Sequence, residues 1–242
     1  MSLKSSSLIL MFFMSINLTF SQKSNTYKED LTLFDSIVEL ENTNLFNGKR
    51  YYNLYRATPN NNNFFYSTDY VKGNVLFNNQ NYYNVDLKYD LTTDKLITKL
   101  SGDKSYINIE LIKDKVASFQ IEDHYFININ TLIKDKSSDL GFLELAYTNS
   151  DFNFFIKRKK YVSEKLNQKK VEYIFKDDDS FYLFYNNKLQ QVNSYKTLKK
   201  LLPDQAKSIN SFTKSNKKLL SKNEEEFFMS LFKYLEIKSY NK

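Results

Sequence analysis

The regular alternation of apolar and polar residues between about residues 50 and 192 is the feature that most restricts how this chain can fold. In the stretch YYNVDLKYDLTTDKLI (82–97), every second residue from Tyr83 to Leu91 is apolar, and the residues between them are polar. A period of two is typical of a strand that buries one face. We therefore predict a strand here, with the face from Tyr83 to Leu91 directed into the core.

The same alternation recurs in further segments, which are joined by short polar connections. These segments are 107–111, 117–121, 125–129, 143–147, 152–156, 171–175 and 181–185. In 125–129 the apolar residues of the pattern are Tyr125, Ile127 and Ile129. Connections such as TTDK, SGDK and TNSD are too short for the crossovers that parallel strands require. The sequence therefore predicts an antiparallel meander that forms a sandwich or a partly open barrel.

From about residue 194 the apolar spacing becomes helical. Pro203 is predicted to end a first helix, and Asp204 is a candidate N-cap for a second. Asn223 with Glu226 three residues later is typical of a cap for a third helix. The predicted fold class is therefore mainly β (α+β), with a small C-terminal helical segment.

This pattern divides the chain into four parts. We expect a signal peptide at 1–21, an N-terminal lead-in at 22–49 and an antiparallel β domain at 50–192. A Lys-rich helical segment at 193–242 is expected to pack on the β domain.

The first 21 residues have the pattern of an export signal. Lys4 supplies a positive charge, LILMFFMSINLTF (8–20) supplies the apolar region, and small residues precede a predicted cleavage before Gln22. The chain contains no cysteine, so we expect no disulfide, no cysteine-ligated metal and no lipid anchored to cysteine. The expected location is the periplasm or the periphery of an outer membrane, with secretion outside the cell as the alternative.

Three aspartates spaced four residues apart, Asp86, Asp90 and Asp94, suggest a metal site at first sight. On a strand, however, Asp86 and Asp90 lie about 13 Å apart, which is too far for one metal ion. Asp94 lies beyond the following turn. We therefore predict that these carboxylates are on the solvated face of a strand.

Two other groups of polar residues are candidates for chemistry. Asp177, Asp178 and Asp179 form a weak candidate cation site, for which a charged turn is the preferred interpretation. The single histidine, His124, excludes metal sites rich in histidine, and no GxSxG nucleophile motif or glycine-rich phosphate loop occurs. We expect no cofactor and no catalytic set.

Positive charge is concentrated in the helical segment. The chain has a formal net charge of +7, and 32 of its 35 basic residues are lysine, a bias that AT-rich coding also produces. Nine lysines but only one acidic residue, Asp204, lie between Lys188 and Lys222. A concentrated patch of this kind attracts anions, whereas the alternative is a solvated lysine-rich face. The candidate anion-binding residues are Lys196, Lys199, Lys200, Lys207, Lys214, Lys217 and Lys218, together with the KRKK cluster Lys157, Arg158, Lys159 and Lys160.

Two stretches, GNVLFNNQNYYNVDLKYDLTTDKL (73–96) and YKTLKKLLPDQAKSINSFTKSNKKL (195–219), carry a resemblance. The chain resembles a loosely defined group of exported, functionally uncharacterised proteins from Bacteroidetes-type Gram-negative bacteria. The resemblance implies a β-rich exported module and supplies no catalytic residues.

The sequence leads us to expect a non-catalytic binding or scaffolding module of the cell envelope. Its expected partner is an envelope protein, a lipid head group or an acidic glycan, and nucleic acid is excluded by export. A hydrolase of envelope or extracellular polymers, with carboxylates that the sequence does not identify, is the first alternative. An integral outer-membrane β-barrel is the second, supported by the alternating strands.

Overall fold

The computed structural model describes residues 42–56, 58–100, 102–132, 139–167 and 170–240. The predicted signal peptide and most of the predicted lead-in lie outside these residues. The strands are β1 (Lys49–Arg50), β2 (Val71–Phe77), β3 (Gln80–Asp90), β4 (Lys95–Lys99), β5 (Asn108–Glu110), β6 (Val116–Ile121), β7 (His124–Asn128), β8 (Phe142–Thr148), β9 (Phe152–Lys157), β10 (Lys160–Asn167), β11 (Lys170–Asp177), β12 (Ser180–Tyr185) and β13 (Lys188–Gln191). The α-helices are α1 (Ile129–Leu132), α2 (Tyr195–Leu201), α3 (Ala206–Ser215), α4 (Lys217–Lys222) and α5 (Glu224–Tyr240).

Eleven of these strands form one sheet in the order β1-β5-β4-β3-β2-β6-β7-β8-β9-β12-β13. All of its pairings are antiparallel, as are those of the separate β10–β11 pair. The predicted mainly antiparallel β fold with a small C-terminal helical segment is therefore confirmed. The sheet does not close on itself.

Aromatic contacts show that the large sheet is strongly curled. Strands β3 and β8 are four positions apart in the sheet, which corresponds to about 19 Å in a flat sheet. Yet the rings of Tyr89 on β3 and Phe142 on β8 lie only 5.8 Å apart between centroids, and Phe119 on β6 contacts both of them. The sheet therefore bends around a buried aromatic core, in the manner of a partly open barrel.

A bulge in β3 changes which tyrosine enters this core. Tyr82 pairs with Val75 and Val85 pairs with Gly73, so that two residues, Tyr83 and Asn84, lie opposite a single residue of β2. Asn84 has a positive φ of 55°, a conformation that asparagine tolerates better than most residues. Tyr82 is consequently buried at 2% exposure, and the prediction that Tyr83 belongs to the core face is wrong.

The predicted face of 125–129 also differs from the observed one. Phe126 packs in the aromatic core, whereas Tyr125 is 41% exposed. Ile127 and Ile129 pack in a smaller cluster with Leu143 on β8. The alternation fails here because apolar residues are packed on both faces of this part of the sheet.

The helical segment packs on the far end of the sheet and forms a second core. Phe228 and Phe232 of α5 contact Phe154 of β9, with ring centroids 5.6 and 4.7 Å apart. The apolar residues that recur at helical spacing along α5 form a stripe that is buried throughout; they are Phe227, Phe228, Leu231, Phe232 and Leu235. No helix among the described residues is both long enough and apolar enough to cross a membrane.

Two of the predicted helix caps have different outcomes. The Asn223 cap is confirmed, because its Oδ1 accepts a hydrogen bond from the backbone N–H of Glu226 at 3.0 Å. Asp204 is not the N-cap of α3, because it lies inside a short 3₁₀ turn, Pro203–Gln205. The N-cap residue is Gln205, whose side chain makes no capping hydrogen bond.

The bulge predicts unequal effects of two neighbouring substitutions. We expect Tyr82→Ala to lower the free energy of unfolding by about 3 kcal/mol or more, because it empties a filled core position. Tyr83→Ala removes a half-buried side chain and should cost clearly less. Urea unfolding of the two variants measures both values. A larger loss for Tyr83→Ala would mean that Tyr83, and not Tyr82, lies in the core, as the simple alternation predicts.

Candidate functional site

The KRKK cluster (157–160) joins β9 to β10, and each of its four side chains contacts another part of the chain; Lys159, which pairs with Asp178, is the most exposed of them. The Nζ of Lys157 lies 2.6 Å from Asp94 Oδ1 and also donates to the carbonyl oxygen of Phe142. The Nζ of Lys160 donates to the carbonyl oxygens of Asn62 and Phe64 at 3.0 and 2.9 Å. Burial lowers the pKa of both lysines. These two cations therefore stabilise the fold and do not face an external anion.

Arg158 is the centre of a largely buried ionic network. Its guanidinium contacts Glu144 at 2.5 Å, Asp179 at 2.8 Å, and both carboxylate oxygens of Glu225 at 2.5 and 2.7 Å. Only 12% of the Arg158 side chain is exposed. One residue therefore connects β8, the junction before β12, and the first turn of α5.

The network lies where the two apolar cores meet. On β8, Phe142 packs in the aromatic core and Ala146 packs against the helical core, while Glu144 lies between them in the alternation. His124, at the start of β7, places its Nδ1 2.5 Å from the second oxygen of Glu144. The ring of His124, the single histidine of the chain, therefore contributes to this network.

The pKa values in the network follow from burial and pairing. Burial opposes the charge of Arg158, but the hydrogen bonds that Arg158 donates to Glu225 and the charge of Glu144 outweigh this effect and raise its pKa. Burial raises the pKa of Asp179, against the opposing hydrogen bonds of Arg158 and the Lys159 N–H. Three carboxylates surround a single guanidinium, so the network is rich in negative charge around a cation that is always protonated.

The weak candidate cation site at 177–179 is not formed by the structure. Asp179 accepts hydrogen bonds from Arg158, and Asp178 pairs with Lys159 at 3.5 Å. Within the described part of the chain, no group of three or more acidic or histidine side chains is arranged to hold a metal ion. Asp178 and Asp179 are instead partners of Lys159 and Arg158, which lie in the connection between β9 and β10.

The three spaced aspartates of β3 and its turn have three different environments. Asp86 is on the surface and pairs with Lys72 at 3.1 Å, as a solvated face predicts. Asp90 is only 2% exposed and accepts hydrogen bonds from Tyr51 and from the turn residue Thr92, so the prediction is wrong for it. Asp94 is mostly buried and contacts Tyr89, so the prediction is wrong for it as well.

The contacts of Asp94 tie distant segments together. Its carboxylate accepts a hydrogen bond from the Tyr89 hydroxyl at 2.5 Å and lies 2.7 Å from the Nζ of Lys113. Gly141 has a positive φ of 62°, and a Cβ at this position would collide with Asp94 and Lys113. The absence of a side chain at residue 141 is therefore required for this group of ions to assemble.

The lysines of the helical segment have the opposite environment. Lys196, Lys200, Lys207, Lys214, Lys217 and Lys218 are all exposed. None of them makes a salt bridge with any residue that the structure describes. Lys199 is half-buried and donates to Asn210 Oδ1 at 2.8 Å. The structure thus separates the predicted basic residues into an internal cluster and an outward helical face.

A cavity of about 380 Å³ lies beside this helical face. It is lined by the turn between β8 and β9, the turn between β12 and β13, and the 3₁₀ turn that follows α2. Asp151 and Asp204 supply its charged side chains, and Phe152 and Tyr185 supply aromatic rings. No motif in the sequence indicates this cavity, because its residues come from three separate turns.

Comparison with protein-family models, curated proteins and solved structures gives no match for this chain. The functional argument therefore depends on the geometry alone. One signal in the sequence did point to the ionic network: Arg158 is one of only three arginines in a chain with 32 lysines. Arginine is better suited than lysine to a planar network of several carboxylates.

The network predicts that substituting Arg158 lowers the free energy of unfolding much more than substituting the adjacent residue Lys159. Arg158→Met should lower the free energy of unfolding by about 3 kcal/mol or more, because it leaves partly buried carboxylates without their cation. Lys159→Met is the matched control, because Lys159 is 52% exposed and its surface pair is worth about 1 kcal/mol or less. Chemical denaturation compares the two, and equal losses would contradict a central role for Arg158.

The raised pKa of Asp179 predicts the sign of one pH effect. Since its pKa in the folded state lies above the ordinary value of 3.8, its contribution to stability is complete below that value. The contribution is lost as pH rises through the folded-state pKa. In the Asp179→Asn variant, the free energy of unfolding should therefore depend less on pH between 3.8 and the folded-state pKa of Asp179. Urea unfolding at successive pH values measures this dependence. An unchanged profile would show that Asp179 titrates alike in both states.

Proposed function

We propose that this protein is an exported, non-catalytic module that binds an anionic lipid surface of the cell envelope through its helical segment. The observation that carries the proposal is the set of outward lysines on α2, α3 and α4. They are exposed and lack acidic partners among the described residues, while apolar residues of the same helices pack in the helical core. We call Lys196, Lys200, Lys207, Lys214, Lys217 and Lys218 the helical lysine face.

Helix α3 illustrates how this face is organised. Lys207 and Lys214 are seven residues apart, which places them about two turns and 10.5 Å apart on the same side of the helix. Ile209 and Thr213 of α3 are buried on the opposite side. The helix is thus amphipathic, with its apolar side already occupied by the protein core and its cationic side open to solvent.

The chemistry of the face favours a diffuse anionic surface as its partner. Lysine is a compact point charge and does not recognise one anion through a rigid pair of hydrogen bonds, as arginine does. Each lysine near an anionic membrane surface contributes about 1 kcal/mol of attraction. Six such residues spread over three helices therefore suit many lipid phosphates better than one enclosed anion.

The internal contacts of the KRKK cluster reduce the number of basic residues that are available to bind an anionic surface. Lys157, Arg158 and Lys160 are engaged within the fold, and Lys159 pairs with Asp178. We therefore assign no binding role to this cluster. Lys199 is also left out, because its Nζ is held by Asn210.

Vesicle binding tests the proposal. The variant Lys200→Glu, Lys207→Glu, Lys214→Glu, Lys218→Glu should lose at least about tenfold in affinity for vesicles of phosphatidylglycerol and phosphatidylcholine. The protein should not bind vesicles of phosphatidylcholine alone, and about 1 M salt should abolish binding by screening. Co-sedimentation of the chain that begins at Gln22 measures these affinities.

The matched control reverses the same amount of charge elsewhere. Lys104, Lys115, Lys170 and Lys176 are also exposed, and none forms a salt bridge in the described part of the chain. Changing these four to glutamate should reduce affinity much less. Equal losses in the two variants would mean that only net charge matters, and binding to a soluble acidic polysaccharide but not to vesicles would contradict a lipid partner.

A further inference from the structure

The hairpin of β10 and β11 forms a sheet of its own, and its two outer edges differ. The edge of β11 is covered by the side-chain amide of Asn61. This amide donates to the carbonyl oxygen of Tyr173 at 2.6 Å and accepts from the N–H of Phe175 at 3.0 Å. Asn61 thus takes the place of a neighbouring strand, and the β11 edge is closed at these residues.

The pairing register shows which backbone groups lie on the outer edge of β10. Tyr173 is opposite Glu164, and Phe175 is opposite Val162. In an antiparallel pair, two residues that lie opposite each other direct their N–H and C=O groups either both inward or both outward. The N–H and C=O groups of Val162 and Glu164 therefore point away from β11, and by alternation so do those of Leu166.

This outer edge of β10 is open beyond its first residue. The N–H of Lys160 donates to the carbonyl oxygen of Leu91 at 3.3 Å, which closes the beginning of the edge. Among the described residues, none forms a hydrogen bond to the outward backbone groups of Val162, Glu164 or Leu166. Such a row of unpaired donors and acceptors fits another strand. The open stretch, 161–167, is about 23 Å long.

Apolar side chains are exposed beside the same edge. Leu166 is 75% exposed, and Val171, directly opposite it on β11, is 53% exposed. Val162 and Leu166 flank Glu164 on one face of the strand, because alternate residues share a face. Glu164 is exposed and forms no salt bridge with a residue that the structure describes. The edge therefore offers an apolar, an acidic and an apolar side chain in alternation.

We infer that the open edge of β10 binds an extended peptide segment of another protein, which adds a third strand to the hairpin. In this mode of recognition, main-chain hydrogen bonds supply affinity and alternate side chains supply specificity. A basic residue of the peptide pairs with Glu164, and apolar residues lie opposite Val162 and Leu166. The peptide pattern is therefore apolar-x-basic-x-apolar. A third strand also stabilises the hairpin, because two strands alone are only marginally stable.

A second copy of this chain fits the edge less well. Symmetric pairing of two β10 strands in the middle of the open stretch would be centred on Glu164 or on Lys165. Either centre places two like charges directly opposite each other, which destabilises a strand pair. A segment with a basic residue opposite Glu164 avoids this repulsion.

The peptide acetyl-Thr-Val-Thr-Lys-Thr-Val-Thr-amide tests the inference, and its palindromic sequence suits either strand direction. We expect it to bind the protein saturably at about millimolar concentration or below. At ten times the dissociation constant, the amides of Val162, Glu164 and Leu166 should exchange about tenfold more slowly, because they gain acceptors. Hydrogen exchange followed by NMR measures these rates. Absence of saturable binding, or binding that leaves these three rates unchanged, overturns the inference.

Two methylated peptides distinguish strand addition from adsorption on the apolar side chains. N-methylation of the central lysine removes an N–H that faces β10, so it should weaken binding at least about tenfold. N-methylation of the threonine that follows removes an N–H on the outer side, so affinity should stay within about threefold. Equal losses would show that no strand is added, which contradicts the inference.

Charge reversal on the protein locates the peptide. Glu164→Lys should weaken binding of the lysine peptide at least about fivefold and favour a peptide with glutamate in place of lysine. Glu172→Lys is the matched control, because Glu172 is an exposed residue of β11 on the opposite face of the same hairpin. An equal effect of the two substitutions would show that only net charge matters, and it would overturn the inference.

Sedimentation of the protein without peptide tests the competing occupant. We expect a monomer in which the amides of Val162, Glu164 and Leu166 exchange rapidly. A dimer that protects these amides without peptide would assign the edge to a second copy and overturn the inference. The helical lysine face and β10 share no residue, so failure of the lipid proposal leaves this inference intact.

Discussion

The contacts of Arg158 hold together the parts of this protein that the chain itself joins only distantly. The guanidinium binds Glu144 in the sheet, Asp179 before β12 and Glu225 at the start of the last helix. It lies between the aromatic core and the helical core and links the last helix to the sheet. Breaking such a network leaves buried carboxylates without a partner, which costs more than the loss of a surface pair.

The aromatic core explains why the single large sheet curls. Tyr89, Phe119 and Phe142 belong to strands that are well separated in the sheet, and their rings meet only if the sheet bends. The bulge at Asn84 contributes to this bending, because an extra residue in one strand locally increases twist. An ion pair as well as the rings holds the curled sheet, since Lys157 of β9 reaches Asp94 in the turn after β3.

The distribution of positive charge shows how tertiary contacts divide residues of one type into two roles. Lys157 and Lys160 lie close in sequence to Lys159, yet they are directed inward, where backbone carbonyls and Asp94 receive them. The helical lysines occupy amphipathic helices whose apolar sides are already packed. Composition treats both groups alike, because it counts charges without regard to the groups that surround them. The candidate anion-binding face is therefore smaller than the sequence predicts.

The sequence by itself determined the antiparallel strands, the change to helices near residue 195, the buried stripe of α5 and the Asn223 cap. These features depend on local periodicity and on contacts within a few residues, which a sequence shows directly. The structure alone decided that Tyr82 replaces Tyr83 in the core, that Asp90 is buried and that Arg158 unites three carboxylates. Each of these depends on residues that are distant in the chain and become neighbours only when the sheet curls and the helices pack. The ionic network and the cavity belong to this second group, because no short segment of the sequence contains their partners.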